Sequence, residues 1–246
     1  MYRFFAEPEA CVGENIRIVG EDWNHIRNVL RLKCGEQITV SNGADREYIC
    51  EIVEFTDREV ITRIVDVMGS SAELPTEITL YQGFPKGDKL EFIIQKAVEL
   101  GAVRIVPVLT RRSVVKLDEK KAARKVERYN AIALSAAKQS KRGRIPVVEP
   151  VMSFADALAD AKKLDMKLIP YEDAEGMEHS RSVIHQAKGK HSLGIFIGPE
   201  GGFEEQEVEA AKAIGAECIT LGHRILRTET AGMTVLSILM FELDAD

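Results

Sequence analysis

The sequence predicts an α/β protein in two parts, and three observations predict it. Within residues 1–68, four short β-branched runs alternate with turn residues around one helical pattern. Beyond a small, polar and proline-containing stretch at 69–75 the rhythm changes to alternating strand and helix, the pattern of a mostly parallel sheet with helices on both faces. Near the end, two glycine-bearing turns each sit where an apolar run stops and a helical pattern starts. They are Gly198-Pro199-Glu200-Gly201-Gly202 and Leu221-Gly222-His223-Arg224-Ile225-Leu226-Arg227-Thr228-Glu229-Thr230-Ala231. Strand, glycine turn, helix lets bare backbone N–H groups at a helix start face a ligand. Two such turns from consecutive units open on one edge of a parallel sheet, and that edge is the expected active site.

In the first part, residues 1–70, strands are expected at 16–19, 37–40, 48–53 and 60–65, with turns at 41–43 and 56–58. A short helix is expected at 22–32, where Trp23, Ile26, Val29 and Leu30 recur at helical spacing and Arg27 and Arg31 lie opposite. A compact barrel with one helix results. In the second part, residues 75–246, strands are expected at 78–81, 104–109, 145–148, 167–171, 193–197 and 217–220. Helices are expected at 88–100, 118–139, 154–161, 204–213 and 232–243. Ser153 and Asp156 have the spacing of a helix cap.

The totals limit the function classes. The chain has 246 residues, 45% hydrophobic and 29% charged, as in globular proteins with ample core. Its apolar runs are too short to span a bilayer, and the amino terminus lacks a signal-peptide pattern, so a cytoplasmic protein is expected. Cys11, Cys34, Cys50 and Cys218 are scattered without ligand-like spacing, which favours free thiols over a disulfide framework or a zinc site. No histidine suggests a metal. The net charge of −6 does not announce a nucleic-acid binder, but residues 111–144 carry twelve Lys/Arg against three Asp/Glu. A polyanion can bind such a stretch. On the helix itself, Lys120, Lys121, Arg124 and Lys125 read more simply as a solvated face.

The glycine turn at 198–202 matches neither the dinucleotide nor the phosphate-loop pattern. Carboxylates at Glu200, Glu204, Glu205 and Glu207 favour a cationic or neutral ligand over a triphosphate. In 221–231, Thr228 has the chemistry of an N-cap and Glu229 falls in the first helical turn. Arg224 and Arg227 flank Ile225-Leu226, and a buried strand end is a costly place for two guanidiniums without an anionic partner.

Residues 197–203 (Ile-Gly-Pro-Glu-Gly-Gly-Phe) together with 221–231 closely resemble the signature of the RsmE family. Its members are small-subunit (16S) ribosomal RNA uracil-N3 methyltransferases of the SPOUT, or α/β-knot, superfamily. Supporting matches are Lys86-Gly87-Asp88, residues 95–101, residues 139–146 and the His25 to Arg31 segment, so the likeness spans the chain. Lys138-Gln139-Ser140 departs from the family's Glu-Gln-Cys/Ser pattern. The resemblance implies an amino-terminal PUA-like RNA-binding barrel, a SPOUT methyltransferase domain with a carboxy-terminal trefoil knot, S-adenosylmethionine as cofactor, and a homodimer. Its cofactor loops map onto Pro170-Tyr171-Glu172, Gly198-Pro199-Glu200-Gly201, and Leu221, Gly222, Ile225, Leu226 and Arg227.

Methylating a uracil N3 requires loss of a proton held tightly at neutral pH, and a cation near O2 or O4 stabilises the anion formed. Arg227 is the expected cation. Glu229 is a weaker candidate for accepting the proton or holding the arginine, with a simple helix-dipole role as the alternative. RNA contact is expected from Arg3, Arg27, Arg31, Lys86, Arg142 and Arg144. The last helix is apolar nearly all round and needs cover on more than one side, which a second subunit supplies. Competing readings are a non-catalytic RNA-binding or ribosome-assembly protein on this fold, a SPOUT enzyme for another RNA, and an α/β enzyme for a phosphorylated metabolite.

Overall fold

The computed structural model describes the chain except residues 7–9, 11–12, 44–45, 70–71, 114–118, 172–175 and 245–246, and the side chains of 119–122. Cys11, part of the 69–75 stretch, the helix start at 118, the Lys120 and Lys121 side chains and Glu172 therefore lie outside the described residues. The chain divides into two compact units. The first is Met1–Glu73 with Ala137–Ile145, and the second is Leu74–Ala136 with Pro146–Asp246.

The first unit is a five-stranded curled sheet in the order β1 (Arg3–Phe5), β3 (Gln37–Ser41), β4 (Arg46–Phe55), β5 (Glu59–Gly69), β2 (Asn15–Val19). All pairings are antiparallel except β1 with β3. Alternation along β2 puts Ile16 and Ile18 inside, where they meet Phe4, Ile38, Val40, Cys50, Ile52 and Val60. Strand β1 was not expected; three residues carry too little alternation to register. The expected 22–32 helix is shorter and differently wound. Helix α1 (Gly20–Asn24) runs into a π-helical turn at His25–Val29, where the Leu30 N–H donates to the His25 carbonyl at 2.9 Å. The wider turn swings Val29 out to 63% exposure while Ile26 stays buried, and Arg31 stops the helix at φ 55°.

The segment Ala137–Ile145 completes this unit. Arg142, only 3% exposed, gives Glu73 two hydrogen bonds, from Nε at 2.8 Å and Nη2 at 2.5 Å. Glu73 also accepts from the Gly143 and Arg144 amides at 3.0 and 3.1 Å. Lys138, at the departure from the family pattern, is paired with Asp22 of α1 at 2.7 Å.

The second unit is an all-parallel sheet in the order β12 (Ala216–Ile219), β10 (Met166–Pro170), β11 (Ser192–Ile197), β6 (Glu77–Gly83), β7 (Ala102–Leu109), β8 (Val147–Val148), with β9 (Met152–Ser153) also on β7. Strands β6 and β11 are buried at nearly every position, as expected of a sheet covered on both faces. The helices are α2 (Lys89–Glu99), α3 (Glu119–Gln139), α4 (Phe154–Ala161), α5 (Gly176–His185), α6 (Glu205–Ala213) and α7 (Thr228–Leu243). Helix α4 has its expected limits, and Ser153 Oγ accepts the Asp156 N–H at 3.1 Å as its cap. Helix α5 was not expected, because of its ten residues only Ser180, Val183 and Ile184 are buried. Helix α7 starts at Thr228, four residues before the expected start. Arg227 is its extended N-cap residue, so Thr228 is not the cap; its hydroxyl has other partners, described below.

Tyr81, stacked on Phe196 at 4.6 Å, donates its hydroxyl to Asp160 at 2.6 Å, and Arg104 bridges Asp160 and Glu149. Burial pushes the Asp160 carboxyl up, but hydrogen bonds from Arg104, Tyr81 and Lys163 and the Arg104 charge outweigh it and hold it well below the carboxylate range. The folded state thus binds this proton less readily than the unfolded chain. Its stabilisation is complete above the usual carboxylate pKa and is lost as pH falls toward the folded value. Asp160→Asn is expected to cost on the order of 2 kcal/mol at neutral pH. In urea titrations the gap to wild type should narrow in acid; a gap independent of pH would refute the charge assignment.

Candidate active site

Strands β10, β11 and β12 are parallel neighbours, so the loops leaving their carboxyl ends emerge on one edge, the usual ligand position in such sheets. Together with α7 they enclose a cleft of about 980 Å³. Pro170, Tyr171, Gly198, Pro199, Glu200, Gly201, Leu221, Gly222, Ile225, Leu226 and Arg227 all line it, so every described residue expected on the cofactor loops is gathered there, Glu172 lying outside the described residues.

The loop after β11 is held by its neighbours. The Gly202 N–H donates to the Pro199 carbonyl at 2.8 Å, and Gly202 takes φ 67°, which favours glycine. Thr228 Oγ1 donates to the Gly198 carbonyl at 2.6 Å and accepts from Gln82 Nε2 at 2.8 Å, linking α7, β11 and β6. A β-carbon on Gly83 would lie 2.5 Å from the Pro199 nitrogen, so Gly83 allows the loop to sit against the end of β6. Gly83→Ala is expected to move this loop, costing about 1–3 kcal/mol in folding and weakening cofactor binding. Denaturant melts and calorimetry check both, and unchanged values in each would refute the tight fit.

The Glu200 carboxylate meets Lys89 Nζ at 3.0 Å and the Lys86 amide at 3.2 Å. Burial raises its pKa, but its own amide, the Lys89 and Lys86 hydrogen bonds and the Lys89 charge lower it further, so the net shift is downward. Glu200 thus stays anionic at the cleft wall, its charge shared with Lys89. Lys89 also stands 3.7 Å from Glu229. Glu229 does not line the cleft, and among the described residues its ion-pair partner is Lys89, not Arg227. The expectation that Glu229 holds the arginine is therefore not met.

Arg224 and Arg227 line the cleft, are exposed, and make no ion pair among the described residues. They are not buried as expected, because the 220–227 loop leaves the sheet before either is reached. Two further lining residues, Lys89 and Arg112, were missed by the sequence reading. Arg112 donates to the Gly201 carbonyl at 2.6 Å, while the Arg111 amide donates to buried Glu207 at 2.9 Å. The only sequence signals were the place of Arg112 in the basic 111–144 stretch and that of Lys89 directly after Lys86-Gly87-Asp88.

The expected RNA contacts divide. Arg3 is bonded to Glu47 at 2.9 Å and to the Lys141 carbonyl, and Arg142 is buried against Glu73, so both act in holding the first unit together. Arg27 is exposed, donating to the Thr56 carbonyl at 2.8 Å, and Arg31 and Lys86 are exposed. The Arg144 amide is bound to Glu73 and its backbone bridges to Gly43. The charge excess of 111–144 is thus partly consumed internally, also by Arg128 with Glu91 at 2.8 Å and by Lys125 over the Phe84 ring at 5.7 Å.

Comparison with known proteins agrees with this geometry. Residues 72–240 match the RNA methyltransferase domain family and residues 18–65 the RNA methyltransferase PUA domain family. The chain is 40% identical to ribosomal RNA small subunit methyltransferase E of Bacillus subtilis (strain 168), covering 99% of this chain and 98% of that protein. It is 33% identical to the protein of the same name from Mesomycoplasma hyopneumoniae (strain 232), covering 96% and 98%. A crystal structure of ribosomal RNA small subunit methyltransferase E from Neisseria gonorrhoeae bound to S-adenosyl methionine superposes with a TM-score of 0.80 at 32% identity, covering 96% and 95%. The chain belongs to the ribosomal RNA small subunit methyltransferase E family.

Proposed function

We propose that the protein transfers a methyl group from S-adenosylmethionine to N3 of a uridine in small-subunit ribosomal RNA. The observation that carries the reading is the cleft at the ends of β10, β11 and β12, which collects three glycine- and proline-bearing loops beside an anionic Glu200. Backbone amides and a carboxylate suit an adenosine and a sulfonium better than a phosphate chain. The bound cofactor supplies an electrophilic methyl group. The chain's part is positioning and charge. The loops at Gly198 and Leu221 hold the cofactor, and the Arg227 guanidinium, free of ion pairs among the described residues, stabilises the uracil anion once N3 has lost its proton to water. Exposed Arg27, Arg31 and Lys86 contact phosphates, and binding weakens steeply with salt.

The same reading carries a carboxy-terminal knot, a cytoplasmic site of action on the ribosomal subunit and a homodimer. Helix α7 supports the dimer: Val235, Leu236 and Leu239 face inward, while Phe241 is 86% and Ile238 41% exposed. Light scattering at micromolar concentration should return twice the chain mass. Calorimetric titration with S-adenosylmethionine or its demethylated product tests the cofactor, and mass spectrometry of ribosomal RNA from a deletion strain tests the product. An absent methyluridine after deletion is the expected result; an unchanged modification profile would refute the assignment.

A further inference from the structure

The first unit carries a second cavity, of about 460 Å³, lined by Val19, Gly20, Trp23, Asp57, Arg58 and Glu59. It lies where α1 leaves β2, beside the turn between β4 and β5, wholly inside the segment matching the RNA methyltransferase PUA domain. Trp23 is locked in place: its Nε1–H donates to the Thr56 carbonyl at 3.2 Å. Arg27 donates to the same carbonyl at 2.8 Å while its guanidinium lies 5.5 Å from the indole centroid. An arginine laid over an indole, both tied to one backbone oxygen, forms a rigid aromatic shelf. Opposite it, the exposed Asp57 and Arg58 make no ion pair among the described residues, and Glu59 meets Arg17 only at 4.0 Å.

We infer that this cavity receives one unpaired RNA base bearing an exocyclic amino group, stacked on Trp23 and read by the Asp57 and Glu59 carboxylates. Unpaired bases are recognised by stacking on aromatic or arginine planes and by hydrogen bonds to their edges. Carboxylates only accept hydrogen bonds, so they favour bases with an amino group (cytosine, adenine or guanine) over uracil, whose one N3–H lies between two carbonyl acceptors. Arg58 at the rim suits the attached phosphate. The cavity therefore selects a nucleotide other than the uridine to be methylated, and fixes the RNA through a base rather than through charge alone. The inference rests on the RNA-methyltransferase reading and adds a base-specific subsite to it.

Trp23 is the only tryptophan in the chain, so tryptophan fluorescence of the folded protein, excited apart from the tyrosines, reports this cavity. Short single-stranded oligonucleotides of cytosine, adenine or uracil carry the same phosphates, so differences among them belong to the base. The expected result is saturable quenching by the cytosine and adenine oligomers, with affinity at least about fivefold above that of the uracil oligomer. Asp57→Asn, in an exposed turn, introduces donors and should remove most of that preference by raising uracil affinity. The inference is overturned if fluorescence stays constant while anisotropy shows the oligomer bound, or if uracil quenches as well as cytosine. A silent Trp23 in an enzyme that still methylates RNA overturns this site alone, whereas failure to bind S-adenosylmethionine overturns the reaction and is read by separate titration.

Discussion

Arg227→Ala should retain cofactor binding but transfer methyl groups about 10²- to 10³-fold more slowly at saturating cofactor and RNA, the usual cost of removing a group that stabilises a developing anion. Arg227 is placed for that task. It lines the cleft, stands in extended conformation just before α7, and has no carboxylate neutralising it among the described residues. Single-turnover kinetics with mass-spectrometric quantitation of methyluridine gives the rate directly. The pH profile gives the cause: raising the pH ionises more of the uracil N3–H, so the variant should recover ground on wild type in alkali. A variant rate close to wild type would remove Arg227 from the chemistry, and an equal loss at every pH would recast it as a binding residue.

Glu73→Ala should lower the stability of the first unit by about 2–4 kcal/mol, because it removes two charge-assisted hydrogen bonds from buried Arg142 and the acceptor of two loop amides. Arg142 is almost wholly enclosed, and Glu73 is also the acceptor for two successive amides of the 143–144 loop. Glu73→Gln keeps an acceptor oxygen and should lose less. Pairing Arg142→Met with Glu73→Leu removes both charges and should recover much of the loss. Urea unfolding followed by Trp23 fluorescence reports this unit specifically, since Trp23 packs against its core. A loss below about 1 kcal/mol, the range of an exposed pair, would contradict the burial.

Local periodicity made most of the fold legible. The β-branched and aromatic run of β6, the apolar run of β11 and the capped, amphipathic α4 each stated their own conformation. Helix α5 did not, because a mostly polar decapeptide with three buried positions has no stripe to read. The π-helical turn at His25–Val29 escaped because one extra residue per turn leaves the side-chain pattern nearly unchanged while rotating Val29 outward. The cleft was legible where it is built from contiguous loops, at 198–202 and 221–227. Lys89, Arg112 and Gly83 are supplied from distant segments by the pairing of β6 with β7 and β11, which no local pattern encodes. Counting charges along 111–144 showed where the basic residues are, but not that Arg111, Arg128 and Arg142 have acidic partners elsewhere.

The strand order also governs what a ribosome can release half-made. Strand β6 pairs with β11, more than a hundred residues later, and the amino-terminal unit lacks Ala137–Ile145 until the chain has grown past them. Neither unit can therefore close during early translation: β6 finds β7 soon after it is made, but its other edge must wait for β11. Slow folding is expected from this wiring. A fragment truncated near residue 73 should be insoluble even though it holds all five strands of its sheet.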